Sequence, residues 1–437
     1  MPCRLLMLVL LLATLARGEE TVSFRRDIAP LLQRRCSTCH SEDNPKGGYR
    51  LDTVKLLRTP GDSGDAPLVP GKPRESHLFE LLATTDKDDR MPQKADALPA
   101  EEIALIERWI AAGAVSDADR DSQTLAELAR QRHLQPAPPH YPRPLPVTAL
   151  AFDGTAKRLA TSGYHEVLIW DAASGALLRR IGGMPERIAS LAWHGEALAV
   201  AGGTPGQWGT VAIVDTTSDY RVTLLCDLPE MALCVAFHPK GSTLVAGCGD
   251  RTLRVFRVLD GAQRKILRHH ADWIQTVAFS PSGKHLVTAS RDRTARVIGT
   301  SKWDIESTYD EHNAPLLCAA FWPDGNRIVS IARGGSAHVW NAESAQKHGD
   351  LADTSSDVRQ IVPGPFGMAI GGADGVLRLY QENDRTPWLE LPGHHDAILS
   401  VATDPVGGLI ASGAADGEVI IWSLHCSEQL LKFSAQP

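Results

Sequence analysis

From Pro146 to the C terminus the chain repeats itself, and this repeat limits the fold more than any other feature. In one copy, Thr276-Val277-Ala278-Phe279 runs into the turn Ser280-Pro281-Ser282-Gly283, and Leu286 to Ser290 forms a second strand-like run. Arg291-Asp292-Arg293-Thr294 is a tight turn, and Ala295-Arg296-Val297-Ile298 is a third strand. Cognate third strands end at Trp170, Val214, Phe256, Ile298, Trp340, Tyr380 and Trp422, giving spacings of 44, 42, 42, 42, 40 and 42 residues. That period is the length of a four-stranded propeller blade, a unit that cannot bury its apolar faces alone and must stack on its neighbours. Seven copies predict an all-β, seven-bladed propeller over residues 146–437.

The rest of the chain has a different grammar. With 437 residues there is room for more than one domain, and 43% hydrophobic with 22% charged residues is ordinary for a folded protein. Residues 19–115 read as a small all-α domain. Ile28, Leu31 and Leu32 have helical spacing. A second helix opens at Pro99 with Glu101 and Glu102 in its first turn, carries Ile103, Ile106, Trp109 and Ile110 on one face, and stops at Gly113. Between them, Cys36-Ser37-Thr38-Cys39-His40 is a Cys-x-x-Cys-His sequence. Two thiols at this spacing can add to the two vinyl groups of one porphyrin, and the adjacent histidine then reaches the iron, so one covalent haem c is expected. The competing readings are a redox Cys-x-x-Cys and half of a zinc site. The first would need a βαβ context that is absent, and the second a nearby cysteine pair, whereas the next cysteine is Cys226.

A second axial ligand follows by elimination. Met91, in the polar loop Asp88-Asp89-Arg90-Met91-Pro92, is the one methionine between the leader and the repeats. A thioether sulfur is soft and favours ferrous iron. His77 is the alternative ligand, and Arg90, Arg74 and Lys72 are candidate partners of the propionates.

Arg4 precedes an apolar run through Leu15, followed by the small-residue site Ala16-Arg17-Gly18, which reads as a signal peptide over 1–18 and predicts export to a periplasmic or other extracytoplasmic compartment. No later run is long and apolar enough to span a membrane. A formal net charge of −7 with no basic stripe argues against nucleic acid as a partner. Cys226, Cys234, Cys248, Cys318 and Cys426 read mostly as buried free thiols, with a Cys226–Cys234 disulfide as the alternative. Residues 116–145 read as a connector, stiffened from Pro136 onward by closely spaced prolines.

Phe24 to Ala114 resembles the planctomycete-type cytochrome c domain. The shared elements are Arg26-Asp27-Ile28-Ala29-Pro30, the Cys36–His40 motif, Gly48-Tyr49-Arg50-Leu51-Asp52, Val69-Pro70-Gly71-Lys72-Pro73, Arg90-Met91-Pro92 and Glu107-Arg108-Trp109-Ile110 with Gly113-Ala114. The resemblance implies haem c on Cys36 and Cys39 with His40 and Met91 as axial ligands; Gln93 stands where such domains often carry a second proline. The repeats resemble WD40 blades. The last keeps His394, Ser412, Asp416 and Trp422, which in that family form a hydrogen-bonded chain; the fourth keeps His270, Thr288 and Asp292 but has Ile298 in the tryptophan slot. Tyr164 and Gly334 occupy the aspartate slot of the first and fifth, and Gly202 to Trp208 reads as an insertion in the second, so these blades are expected to rely on packing. The pairs His269-His270 and His394-His395 read as one structural histidine beside a loop residue. No catalytic set is visible in the propeller. The leading expectation is an exported electron carrier whose propeller docks a redox partner protein or a peptide. The alternatives are an oxidoreductase with substrate or a second cofactor on the propeller, and a scaffold or sensor without redox function.

Overall fold

A computed structural model of the chain describes residues 22–437 apart from 43, 94, 119–120, 126–127, 129–133, 355–357, 359, 383 and 405–407. The leader expected over 1–18 lies outside the described residues. The chain divides into two compact units, Met1–Arg132 and His133–Pro437.

The first unit is built from short helices. The π-helical turn Phe24–Ile28, capped by the Ser23 side chain, leads into α1 (Ala29–Arg35), whose first turn contains Pro30. The unit is not purely helical: β1 (His40–Ser41) pairs antiparallel with β2 (Asn44–Pro45). Then follow α2 (Val54–Leu57), with Thr53 accepting from the Leu56 amide, α3 (His77–Ala83) and α4 (Ala100–Ala111). Ile28, Leu31 and Leu32 of the first segment and Ile106, Trp109 and Ile110 of α4 are buried in one core. Full burial of each such side chain contributes about 1.5–3 kcal/mol. Phe24 of the π-helical turn stacks on Trp109 of α4 at 5.3 Å, and Arg35 of α1 forms a two-pronged ion pair with Glu102 at 3.0 and 3.0 Å, so the first helical segment and α4 are joined by both packing and charge. Gly113 ends α4 at φ +100°, a conformation a side chain would strain. The connector expected over 116–145 contributes to this core, since Leu125 and Leu128 are fully buried in it.

The second unit is a seven-bladed β-propeller. Its four-stranded antiparallel sheets are drawn from residues 150–181, 187–228, 232–267, 274–309, 316–351, 361–392 and 398–434, numbered here as blades 1 to 7. First strands of successive blades touch in a closed ring around the axis. The seven residues read as third-strand ends all lie in third strands and are buried. Each blade takes all four strands from one contiguous stretch, so no strand is shared where the ring closes. Closure rests on a core spanning blades 7 and 1, including Leu150, Trp170, Ala402 and Ile421, and on Val147. The Val147 amide donates to Ala414 O at 3.0 Å, and its carbonyl accepts from buried Ser400 Oγ at 2.6 Å.

The insertion of blade 2 takes the form of added strand: its second and third strands run longer, Ala197–Thr204 and Trp208–Asp215, around a turn at 205–207. The blades depart from expectation in two places. Blade 5 keeps most of its polar chain despite Gly334: His312 Nε2 lies 2.8 Å from Ser330 Oγ, which also accepts from Trp340 Nε1 at 3.0 Å. In blade 7, His394 and Trp422 both meet Ser412 Oγ, at 2.7 and 2.8 Å, but Asp416 is not the carboxylate facing the histidine. His394 Nδ1 lies 3.4 Å from Glu418 instead, while Asp416 accepts from the Glu418 amide within its own turn. Blade 4 follows expectation, with His270 between Asp292 at 2.9 Å and Thr288 at 2.7 Å. The described cysteines form no disulfide; Cys234, Cys248 and Cys318 are buried, Cys226 is half-buried and Cys426 is exposed.

Candidate haem-binding site

The end of α1 winds the Cys36–His40 segment around a single oxygen. The Cys36 amide continues the helix to Leu32 O, and the amides of Cys39 and His40 both donate to Cys36 O, each at 3.1 Å. The hairpin then fixes the far side of the motif: Lys46 N donates to Cys39 O at 3.0 Å and Leu51 N to His40 O at 2.9 Å. Both thiols and the imidazole are thereby held in one tight turn.

His40 Nδ1 lies 3.3 Å from the carbonyl oxygen of Tyr49, whose ring meets the imidazole edge-on at 5.5 Å. The Tyr49 hydroxyl donates to Leu57 O at 2.8 Å, anchoring that residue to α2. A carbonyl can only accept, so Nδ1 carries the proton and the Nε2 lone pair is left for a metal. His40 Nε2 has no hydrogen-bond partner among the described residues. Cys36 borders the apolar core, and burial pushes its thiol up to about 12, against the lowering pull of Arg35. A thiol in that environment stays neutral, and conversion to a thioether leaves no charge to desolvate.

Met91 borders the same core as Cys36 and Tyr49, so its loop is less detached from packing than its polar sequence implies. Its amide donates to Leu81 O at 2.9 Å, which hangs the loop on α3. Beside it, Arg90 donates through Nη2 to Ala95 O at 3.0 Å, and its buried Nε has no partner among the described residues. An orphaned buried donor of a cation suits an anionic group such as a carboxylate. Lys72 is exposed and paired with Glu75 at 2.9 Å, and Arg74 is exposed. His77 faces Glu80 at 3.4 Å and Asp65 at 4.0 Å on the surface rather than bordering the core. The donor set of two unpaired thiols, an oriented imidazole, a thioether against the core and an orphaned guanidinium nitrogen therefore fits haem c.

Two contributors were not read from the sequence. Tyr49 acts through a backbone carbonyl, which no side-chain pattern announces. Ser76 is fully buried; its Oγ accepts from Val69 N at 2.8 Å and donates to Lys72 O at 3.0 Å, closing the Val69–Ser76 loop, while Gly71 N donates to Ile110 O at 2.8 Å on α4. The sequence signal nearest to it is the motif Val69-Pro70-Gly71-Lys72-Pro73, which stops three residues short of Ser76.

In the propeller, His270 and His394 are buried within their blades. His269 meets Trp303 O at 3.1 Å and His395 is exposed. No group of three or more metal-ligating His, Cys, Asp or Glu side chains occurs among the described residues.

Residues 36–94 match the family model described as Planctomycete cytochrome C. Residues 230–257, 261–298, 303–341 and 385–423 match that described as WD domain, G-beta repeat, on blades 3, 4, 5 and 7. No curated protein matches the chain.

Proposed function

We propose that this cytochrome-c-like domain joined to a WD40 propeller is an exported one-electron carrier. In this reading it holds a single haem c through Cys36 and Cys39, with His40 and Met91 as axial ligands, and its propeller docks a redox partner protein. The observation that carries the reading is the His40 geometry: Nδ1 is directed to the Tyr49 carbonyl, leaving Nε2 free beside two unpaired thiols. Bound haem supplies a one-electron couple, tuned by its axial ligands and their surroundings. The chain's own residues do the positioning. Tyr49 fixes the tautomer and plane of His40, Leu81 O holds the Met91 backbone, and the core behind Cys36 and Met91 keeps water from that side. Arg90 Nε offers a buried cationic donor to a propionate. Export is supported by the sequence of residues 1–18, and no helix among the described residues is long and apolar enough to cross a membrane.

The test is an absorption spectrum of protein expressed with haem-maturation machinery, before and after dithionite. Haem that survives acid–acetone extraction is expected, and a haem-free product would overturn the reading. In Met91→Ala the ferric methionine–iron charge-transfer band should vanish; its persistence would remove Met91 from the ligand set.

A further inference from the structure

Turns between second and third strands emerge on one face of a propeller, and in this chain they are not equivalent. In blades 6 and 7 the turn reads Asp374-Gly375 and Asp416-Gly417, with the glycines at φ +76° and +86°. A Cβ there would meet His394 O at 2.6 Å and Leu145 O at 2.9 Å, so neighbouring backbone excludes a side chain. Blades 3 and 4 read Asp250-Arg251 and Asp292-Arg293, with the arginines at φ 69° and 73°. A left-handed conformation costs a non-glycine residue about 1–2 kcal/mol. Both arginines are exposed, and neither side chain has an ion-pair or hydrogen-bond partner among the described residues. Other turns of the propeller place Ala156 and Ala345 at positive φ as well, so it is the pair of exposed cations without a partner, not the backbone conformation, that points to a use.

The neighbouring positions reinforce this. Arg291 starts the blade 4 turn and lies over the ring of half-buried Trp273 at 4.5 Å, with Asp272 at 3.7 Å. Arg333 holds the cognate position in blade 5, exposed and likewise without a side-chain partner among the described residues. The other acids of these turns are engaged inward, Asp250 by Thr252 and Arg254 and Asp292 by His270 and Thr294. Asp310 and Glu311 in the connection to blade 5 are exposed, so the positive character centres on blades 3 and 4.

We propose that this face of blades 3 to 5 docks a carboxylate-rich segment of a partner protein, with Arg251, Arg291 and Arg293 as the charge anchors and Trp273 as an apolar shelf. Arginine and tryptophan side by side are the residue types that dominate binding energy at protein interfaces, and unpaired surface cations steer an acidic partner. The net charge of −7 on the whole chain favours a compact acidic protein segment over a long polyanion, which would experience the repulsion of the whole chain. This deepens the docking role proposed above; because its readout needs no haem, failure here leaves the electron-carrier reading standing, and failure there leaves this one testable.

The experiment is fluorescence anisotropy of a fluorescein-labelled oligoglutamate peptide titrated with the full-length protein. Saturable binding that weakens with salt is expected. The double variant Arg251→Glu/Arg293→Glu should weaken it at least about tenfold, while Lys302→Glu, in an exposed turn at the opposite end of blade 4, should change it less than about twofold. Arg251→Lys/Arg293→Lys, which keeps the charge, should retain most of the affinity. Unchanged thermal unfolding of the variants confirms that they fold. No saturable peptide binding, an equal loss in Lys302→Glu, or tighter binding of an oligodeoxythymidylate of matched charge would each overturn the proposal.

Discussion

The aspartate slot of the WD-type chain is used differently in blades 4 and 7, and a pair of substitutions measures the difference. Asp292 accepts from four donors: His270 Nδ1 at 2.9 Å, the Ala271 amide at 3.0 Å, and the Thr294 amide and hydroxyl at 3.0 and 2.7 Å. Truncation in Asp292→Ala leaves a His270 side chain that is 1% exposed facing no carboxylate. One buried unsatisfied donor costs about 1–3 kcal/mol. Thr294 Oγ1, 3.3 Å from the same nitrogen, offsets part of this, whereas the Ala271 and Thr294 amides regain water at small cost. A net loss of about 1–2 kcal/mol follows. Asp416 accepts one backbone amide, at 3.0 Å, so Asp416→Ala should cost less than about 1 kcal/mol. The assay is urea unfolding of the full chain followed by tryptophan fluorescence, comparing midpoints at constant slope. An Asp416→Ala cost equal to that of Asp292→Ala would refute the reasoning, because it would mean that sequence slot rather than geometry sets the contribution.

Acidification should destabilise the propeller from blade 5. Burial, then the His338 ring stacked at 3.9 Å, holds His312 down at about 3, so the unfolded chain takes up a proton near pH 6.5 that the folded chain refuses; the stabilisation is complete above about 6.5 and is lost as the pH falls toward 3. His312→Gln should flatten the fall of the melting temperature between those limits, and an unchanged slope would remove His312 as the cause. Ser400→Ala removes the closure bond to Val147 O and should cost about 1–2 kcal/mol in the same urea assay, with a negligible shift arguing that the apolar seam alone closes the ring. Arg90→Gln should lower the midpoint potential of the holoprotein on the order of tens of millivolts by withdrawing a cation that favours the ferrous state, and redox titration showing no shift would separate Arg90 from the haem.

What could be read from the sequence was the chemistry that lies close together along the chain. Cys36, Cys39 and His40 sit within five residues, so their joint function needs no fold to be recognised. The period was visible because each third strand carries a buried apolar plug near its end, from Val214 and Ile298 to Trp422. Contributions made through backbone were invisible: Tyr49 orients His40 with a carbonyl that every residue possesses. Within residues 202–208 only the proline acts as a breaker: Pro205 lies in the turn, whereas Gly202 and Gly203 stay in the ladder, paired with Thr210 and Gly209, a distinction composition alone does not make. Asp416 and Glu418 lie two positions apart, and which carboxylate reaches His394 depends on turn geometry rather than slot.

Drawing every blade from one contiguous stretch has a mechanical consequence at the point where the chain enters the propeller. A shared strand would bind the first and last blades by a full ladder; here Val147 supplies one amide and one carbonyl. The preceding segment is rich in proline, which has no N–H to add to a sheet and can engage only through its carbonyls. Arg180 uses them, donating to Pro138 O at 2.6 Å and Pro139 O at 2.9 Å. That guanidinium is oriented by Glu166, 1% exposed, at 2.7 and 2.8 Å, and the same carboxylate accepts from Tyr141 at 2.6 Å. A buried carboxylate is tolerated only when paired and hydrogen-bonded, and Arg180 and Tyr141 meet both conditions. The clamp holds the chain at Pro138, Pro139 and Tyr141, ahead of Val147. A pull on the connector is therefore taken up at blade 1 before it reaches the lightly bonded residue that closes the ring.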